Sequence, residues 1–349
     1  MDITNAQPIS HSPRYQYIDT ARGIGLILLV LGHIVTGNTR LFNWIYSFHM
    51  PLFFYLSGLC VKEERLTKLK PYFIQKLKQR ILPYFSITLF GIFICMLIPP
   101  YRHLIFEDGI LLHMEHIFLR MIPKNLYVGQ VWFLASLFCA EIYFYCWYKL
   151  CYKNPLLQFA GILCLILAAR YIWKIFIYIP VIEELPFQMD TAFMGAFCYI
   201  LGFLTNKYQL LKKAKKYTWL LLLPLLFLNL FFGTYKNGYV NMCDLVFGNM
   251  WYYLIAMVSG IFTITLISYN IPKTTLLSWY GRHSLPLFAV HTFLIYLVRE
   301  FVYIITGNYY TMMVDVPFSI AWIIAFTILL LFLPIGKIYD FLSKKLPQF

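Results

Sequence analysis

Apolar runs alternate with short polar, lysine-rich breaks along nearly the whole chain. Runs long enough to cross a bilayer, about 17–25 residues each, fall at 18–37, 43–61, 81–99, 129–149, 156–179, 188–205, 217–234, 247–269, 284–305 and 316–338. The pattern predicts an all-α integral membrane protein with ten transmembrane helices. Met1 to Tyr17 is polar, and the first apolar run after it lacks a small-residue cleavage site, so that run is expected to stay as the first span. No repeat, low-complexity stretch or linker divides the chain. A single multi-span domain over 1–349 is expected, with 1–17 as a cytoplasmic segment.

The breaks predict orientation. With the N-terminus inside, the inner loops carry Lys62, Arg65, Lys68, Lys70, Lys76, Lys78 and Arg80, then Lys149 and Lys153, the lysines at 207, 212, 213, 215 and 216, Lys273 and Arg282, and Lys337, Lys344 and Lys345. The outer loops carry Arg40, Arg102, Arg120, Lys124 and Lys236. Nineteen against five is a positive-inside bias, and ten spans then leave both termini in the cytoplasm.

Composition agrees. The 349 residues are 60% hydrophobic and 13% charged, where soluble domains carry about 25% charged residues. The net charge of +14 does not point to nucleic acid, because the basic residues lie in short runs between apolar segments. It fits membrane topology and attraction to anionic lipid. No pair among the eight cysteines has CxxC spacing. Cys60, Cys95, Cys139, Cys146, Cys164 and Cys198 lie in or beside apolar runs and are expected to be small core residues.

The first span carries the densest candidate chemistry. Asp19 and Arg22, three residues apart, share a helix face. His33 follows eleven residues after Arg22, three turns on and about 16 Å along the axis, half the depth of a bilayer core. Ionisable groups at such depth are costly and mark function. The next run opens Ser47-Phe48-His49-Met50-Pro51, and a short hairpin brings His49 to the depth of His33. A neutral imidazole in a partly desolvated cleft suits general-base work. One such His would read as packing; two at matched depth favour function.

Asp19 and Arg22 also suit a structural pair at a helix start. The alternative is a basic mouth for a phosphorylated ligand, made by Arg22 with Lys76, Lys78 and Arg80. Trp132, Glu141, Asp190, Ser57 and His291 sit on other spans and suggest one polar cavity crossing much of the membrane. The longest outer loop, Pro99 to Tyr127, is expected to form a short interfacial helix. Its His113, Glu115 and His116 do not have the i, i+4 spacing of helical metal ligands, so a solvated face is expected there and no metal.

These motifs resemble the acyltransferase 3 family of membrane acyltransferases, and within it the fucose 4-O-acetylase-like group. The likeness rests on Asp19-x-x-Arg22-Gly23, Arg22-x10-His33, Phe48-His49-Met50-Pro51-Leu52-Phe53-Phe54 with Ser57-Gly58, and Arg80-Ile81-Leu82-Pro83-Tyr84. It continues through Trp132-Phe133-Leu134, Leu185-Pro186-Phe187, Gly202, and Gly281-x-x-Ser284 leading to His291. Where family members often carry paired arginines before the Pro-Tyr, this chain has Arg80 alone.

The resemblance implies transfer of an acyl group, usually acetyl, from cytoplasmic acyl-CoA to a hydroxyl of an extracytoplasmic sugar, polysaccharide or lipid-linked glycan, in a bacterial cytoplasmic membrane. It implies His33 and Arg22 at the reaction, with His33 as general base or nucleophile; Asp19 and His49, from their places beside these two, complete the expected catalytic set. Arg22, Arg80, Lys76 and Lys78 would hold the CoA phosphates. Acetyl-CoA or another acyl-CoA is a donor substrate, and no resident cofactor is implied. The rival expectation is an exporter or flippase for a glycan or lipid-linked sugar, which the same polar cavity would serve.

Overall fold

The computed structural model describes residues 16–35, 39–97, 114–123, 128–176, 185–271, 275–306 and 318–345. Helices dominate: α1 (Gln16–Ile34), α2 (Arg40–Tyr46), α3 (His49–Leu59), α4 (Leu69–Leu97), α5 (Trp132–Leu150), α6 (Pro155–Phe176), α7 (Thr191–Lys207), α8 (Leu210–Ala214), α9 (Thr218–Leu230), α10 (Met250–Asn270), α11 (Thr275–Arg282), α12 (Ser284–Thr306) and α13 (Phe318–Lys345). Among the described residues, nine helical segments are long and apolar enough to cross a membrane. Large apolar side chains such as Leu157, Trp219, Leu223, Phe227 and Ile304 lie on the surface, where lipid rather than water would meet them. The chain is an all-α, multi-pass membrane protein.

The second apolar run departs from the expected single helix over 43–61. It divides into α2 and α3 at Ser47 and Phe48, where Phe48 takes φ −148° and ψ −15°. Proline explains the break. In one continuous helix Pro51 would clash with the carbonyl four residues back, at Ser47, and leave it without a donor. Starting α3 at His49 puts Pro51 in the first turn, where a missing N–H costs little. Asn229 of α9 then closes the corner. Its Oδ1 accepts from Trp44 Nε1 at 2.5 Å, and its Nδ2 donates to the Ala256 carbonyl at 2.8 Å. Eleven residues make α3 about 16 Å long, roughly half a hydrocarbon core.

Helix α1 is at the centre. Its apolar window is 72% buried, against 6% for that of α6, so α1 is enclosed by protein while α6 faces outward. α1 packs on α11, α10, α12, α13 and α3. Two crossings depend on glycine. A Cβ on Gly23 would stand 2.1 Å from the Leu277 carbonyl oxygen, and one on Gly281 would stand 1.8 Å from that of Asp19, so α1 and α11 touch backbone to backbone. Gly58 and Gly202 do the same for α3 and α7, at 2.0 Å and 2.1 Å from the Tyr199 and Tyr55 carbonyls. Small residues at such crossings bring membrane helices into close contact.

The ends of several helices gather on one basic face. Lys207 at the end of α7 pairs with Glu63, and Lys149 of α5 donates to the Thr67 carbonyl at 3.3 Å. The expectation that six cysteines are core residues holds for Cys95, Cys139 and Cys198; Cys60, Cys146 and Cys164 are exposed. A thiol is apolar enough to sit on a helix surface without cost, as Cys146 and Cys164 do on α5 and α6, while Cys60 follows α3 and lines a cavity beside Arg22. The segment 99–127 is described only in part. Within it His116–Arg120 forms one π-helical turn, and Glu115 accepts from Arg120 Nε at 3.0 Å. His113 lies outside the described residues, as do 99–113 and 124–127.

Candidate active site

Two equal rises set the levels of the site. At the basic face, Arg22 Nη2 of α1 lies 3.6 Å from the Cys60 sulfur at the end of α3. Eleven residues carry α1 from Arg22 to His33, and eleven carry α3 from Cys60 back to His49. Each is a climb of about 16 Å, so both histidines reach the same depth. Both line one cavity of about 470 Å³, beside Tyr46, Trp132, Asn241 and Asp244.

The histidines are held differently. His49 Nδ1 donates to the Ile45 carbonyl at 2.9 Å, and the Tyr46 ring meets it edge-on, 4.7 Å away. His291 of α12 is fully buried and stands behind the wall, its ring 5.1 Å from that of His33 and tilted by 48°. His291 Nδ1 donates to the Phe288 carbonyl at 2.9 Å. A carbonyl only accepts, so in the neutral rings of His49 and His291 the proton is on Nδ1 and the lone pair on Nε2. His33 itself has solvent contact and no hydrogen bond to its ring among the described residues.

A second cavity, of about 340 Å³, opens near the basic face. Arg22, Lys62, Arg65, Lys76 and Arg80 line its polar part, and Leu26, Phe53, Phe133, Leu134 and Phe288 its apolar part. Such a graded wall fits a ligand that is anionic at one end and apolar at the other. Glu141 positions two of the cations from behind. Its side chain is fully buried, accepting from Lys76 Nζ at 2.7 Å, Arg80 Nη2 at 2.9 Å and Arg80 Nε at 3.2 Å. Tyr72 Oη adds a bond to the Glu141 backbone carbonyl at 3.2 Å. One carboxylate between two cations leaves the group net positive, and the guanidinium and ammonium are fixed before any ligand arrives.

The expected site residues sort as follows. His33, His49 and Trp132 line the histidine cavity; Arg22, Lys76, Arg80 and Ser57 line the basic one. Asp19 Oδ1 lies 3.6 Å from Arg22 Nη1 with its side chain buried. Glu141 stands behind the basic wall rather than on it, and His291 behind the histidine wall. Asp190 is apart from both cavities: its carboxylate caps α7, accepting from the Thr191 and Leu185 backbone N–H groups at 2.8 and 3.2 Å. Lys78 is exposed on α4 and lines neither cavity.

Other lining residues escaped the sequence reading. Lys62 and Arg65 were counted there only as loop charges. Asn241 and Asp244 belong to the turn between α9 and α10, where Asn241 Nδ2 donates to Asp244 Oδ2 at 2.5 Å and Asn237 Oδ1 accepts from the Asn249 N–H at 2.8 Å. The signal that could have found them is a cluster of Asn, Gly and Asp in a loop on the His33 side, since loops over a rigid scaffold often carry recognition. Gln130 and Phe288 gave no such signal. They meet only in the fold, where Gln130 Nε2 donates to the Phe288 carbonyl at 3.1 Å.

Comparison with known families shows a match to a family described as "Acyltransferase domain" over residues 15–335. No curated protein matches the chain, and no solved structure does.

Proposed function

The chain belongs to the acyltransferase 3 family, and from that premise we propose that this membrane acyltransferase moves an acetyl group from cytoplasmic acyl-CoA to a hydroxyl of an extracytoplasmic sugar or polysaccharide. The observation that carries the reading is the pair of cavities set along α1, one lined by Arg22 and four further cations, the other by His33 and His49. The positive-inside rule puts the basic face in the cytoplasm. The CoA phosphates lie among Arg22, Lys62, Arg65, Lys76 and Arg80, and the pantetheine arm points along α1. The acceptor comes from the other side, against Trp132, Asn241 and Asp244, a ring with amide and carboxylate groups that suits a polyhydroxylated ligand.

At the junction His33 takes the proton from the acceptor hydroxyl. The oxygen forms a bond to the thioester carbonyl carbon, the carbon–sulfur bond breaks, and the sulfur leaves with the proton as free CoA thiol. His291 orients His33 from behind. The cavities, at about 340 and 470 Å³, are of small-molecule size. That scale suits handing over a small group better than passing a glycan through, which the exporter reading requires.

The test is to follow labelled acetyl from acetyl-CoA into surface glycan in membranes carrying wild type or His33→Ala. Wild type should label the glycan, and His33→Ala should lower the rate by about 10²–10⁴-fold. Normal labelling by His33→Ala removes the catalytic assignment. Glycan translocation by wild type with no labelling favours the exporter.

A further inference from the structure

Phe288 is common to the linings of both cavities. One turn of α1 spans the same boundary: Leu26 lines the basic cavity and Leu29 the histidine cavity, about 4.5 Å further along the axis. The wall between the two cavities is therefore about one side chain thick. Phe288 is 7% exposed. It packs edge-on against Phe133 at 5.8 Å, and Phe133 is in turn held edge-on by Phe53 at 6.1 Å and Phe54 at 4.9 Å. The backbone under the ring is pinned, since the Phe288 carbonyl accepts from both Gln130 and His291. The ring is thus held by fixed aromatics, and its centroid lies 6.1 Å from that of His291.

A thioester delivered from the basic cavity and a hydroxyl delivered from the histidine cavity meet only at this wall. There the sulfur points back along the basic cavity and the attacking oxygen comes from the other. The remaining substituent of the carbonyl, the acyl chain, has to lie against Phe288. We infer that the Phe288 ring is a specificity-determining element, limiting by its bulk the length of acyl group that reaches His33. The inference rests on the acyl-transfer reading above. A short acyl group fits beside the ring; a longer one meets Phe288 and the Phe133 against which it packs.

The experiment uses full-length protein in membranes with acetyl-CoA and hexanoyl-CoA as alternative donors, comparing wild type, Phe288→Leu and Phe288→Ala. Wild type should favour acetyl. The ratio of hexanoyl to acetyl transfer should rise by about tenfold or more in Phe288→Ala, with Phe288→Leu between. Phe288→Leu keeps most of the buried volume and decides the matter if Phe288→Ala does not accumulate. Equal ratios in wild type and variants overturn the inference while leaving acyl transfer intact, as does a wild type that takes both donors equally. Transfer by wild type from neither donor sinks the acyl-transfer reading, and this inference with it.

Discussion

The His33 and His291 rings lie 5.1 Å apart, tilted by 48°, one on the cavity surface and one buried behind it. His291 carries its proton on Nδ1 because the Phe288 carbonyl accepts there at 2.9 Å. The buried ring therefore backs His33 from a fixed tautomer. His291→Ala should lower kcat on the order of tenfold or more, with the KM for donor and acceptor nearly unchanged. Steady-state kinetics in membranes with both substrates varied measures this. A rise in acceptor KM at constant kcat would place His291 in binding instead.

Arg22 and Lys78 separate cavity charge from surface charge. Arg22 lines the basic cavity and Lys78 does not. Losing one charged hydrogen bond to a phosphate weakens binding by about 1.5–3 kcal/mol, or on the order of tenfold and more in Kd. Arg22→Ala should show that loss for acyl-CoA and little change for the acceptor, and Lys78→Ala should bind acyl-CoA as wild type does. Equilibrium binding of labelled acyl-CoA to purified protein checks both, and equal curves for Arg22→Ala and wild type exclude a phosphate contact at Arg22.

Glu141 lies between Lys76 and Arg80 with its own side chain fully buried. Removing its charge leaves two cations facing each other. Glu141→Gln should destabilise the protein by up to about 3–5 kcal/mol. Glu141→Gln combined with Lys76→Met should recover part of the loss. Thermal unfolding in detergent reads the difference, and an unchanged midpoint for Glu141→Gln would mean that the cations are held by other groups.

Gly281 touches the Asp19 carbonyl so closely that an added Cβ would stand 1.8 Å from it. That oxygen is backbone and cannot turn away. Gly281→Ala should force α1 and α11 apart and sharply reduce the yield of folded protein. Gly129→Ala is the control, because the nearest atom to a Cβ there is the Pro123 carbonyl oxygen at 3.7 Å. Size-exclusion profiles of the two variants make the comparison. A normal profile for Gly281→Ala would show that the crossing can relax.

Residues 16–34 show where sequence suffices. Helical periodicity sets the angle and rise between residues of one helix, so the shared face of Arg22 and His33 and the distance between them followed from counting. The apolar runs likewise determined the membrane class and all nine spanning helices among the described residues; only the run at 43–61, expected as a tenth, divides into two short helices. Pro51 was visible as a reason for a break, but the partner that closes the corner, Asn229, 178 residues further on and accepting from Trp44, was not. Glu141, Asp190 and Phe288 depended on packing still more. An acidic residue in an apolar run signals a polar partner but does not say which, and Glu141 turned to Lys76 and Arg80 while Asp190 turned to backbone N–H groups. A phenylalanine among 32 carries no signal at all. Its place between two cavities arises only when α1, α5 and α12 meet, because no periodicity within one helix says which faces of other helices it will touch.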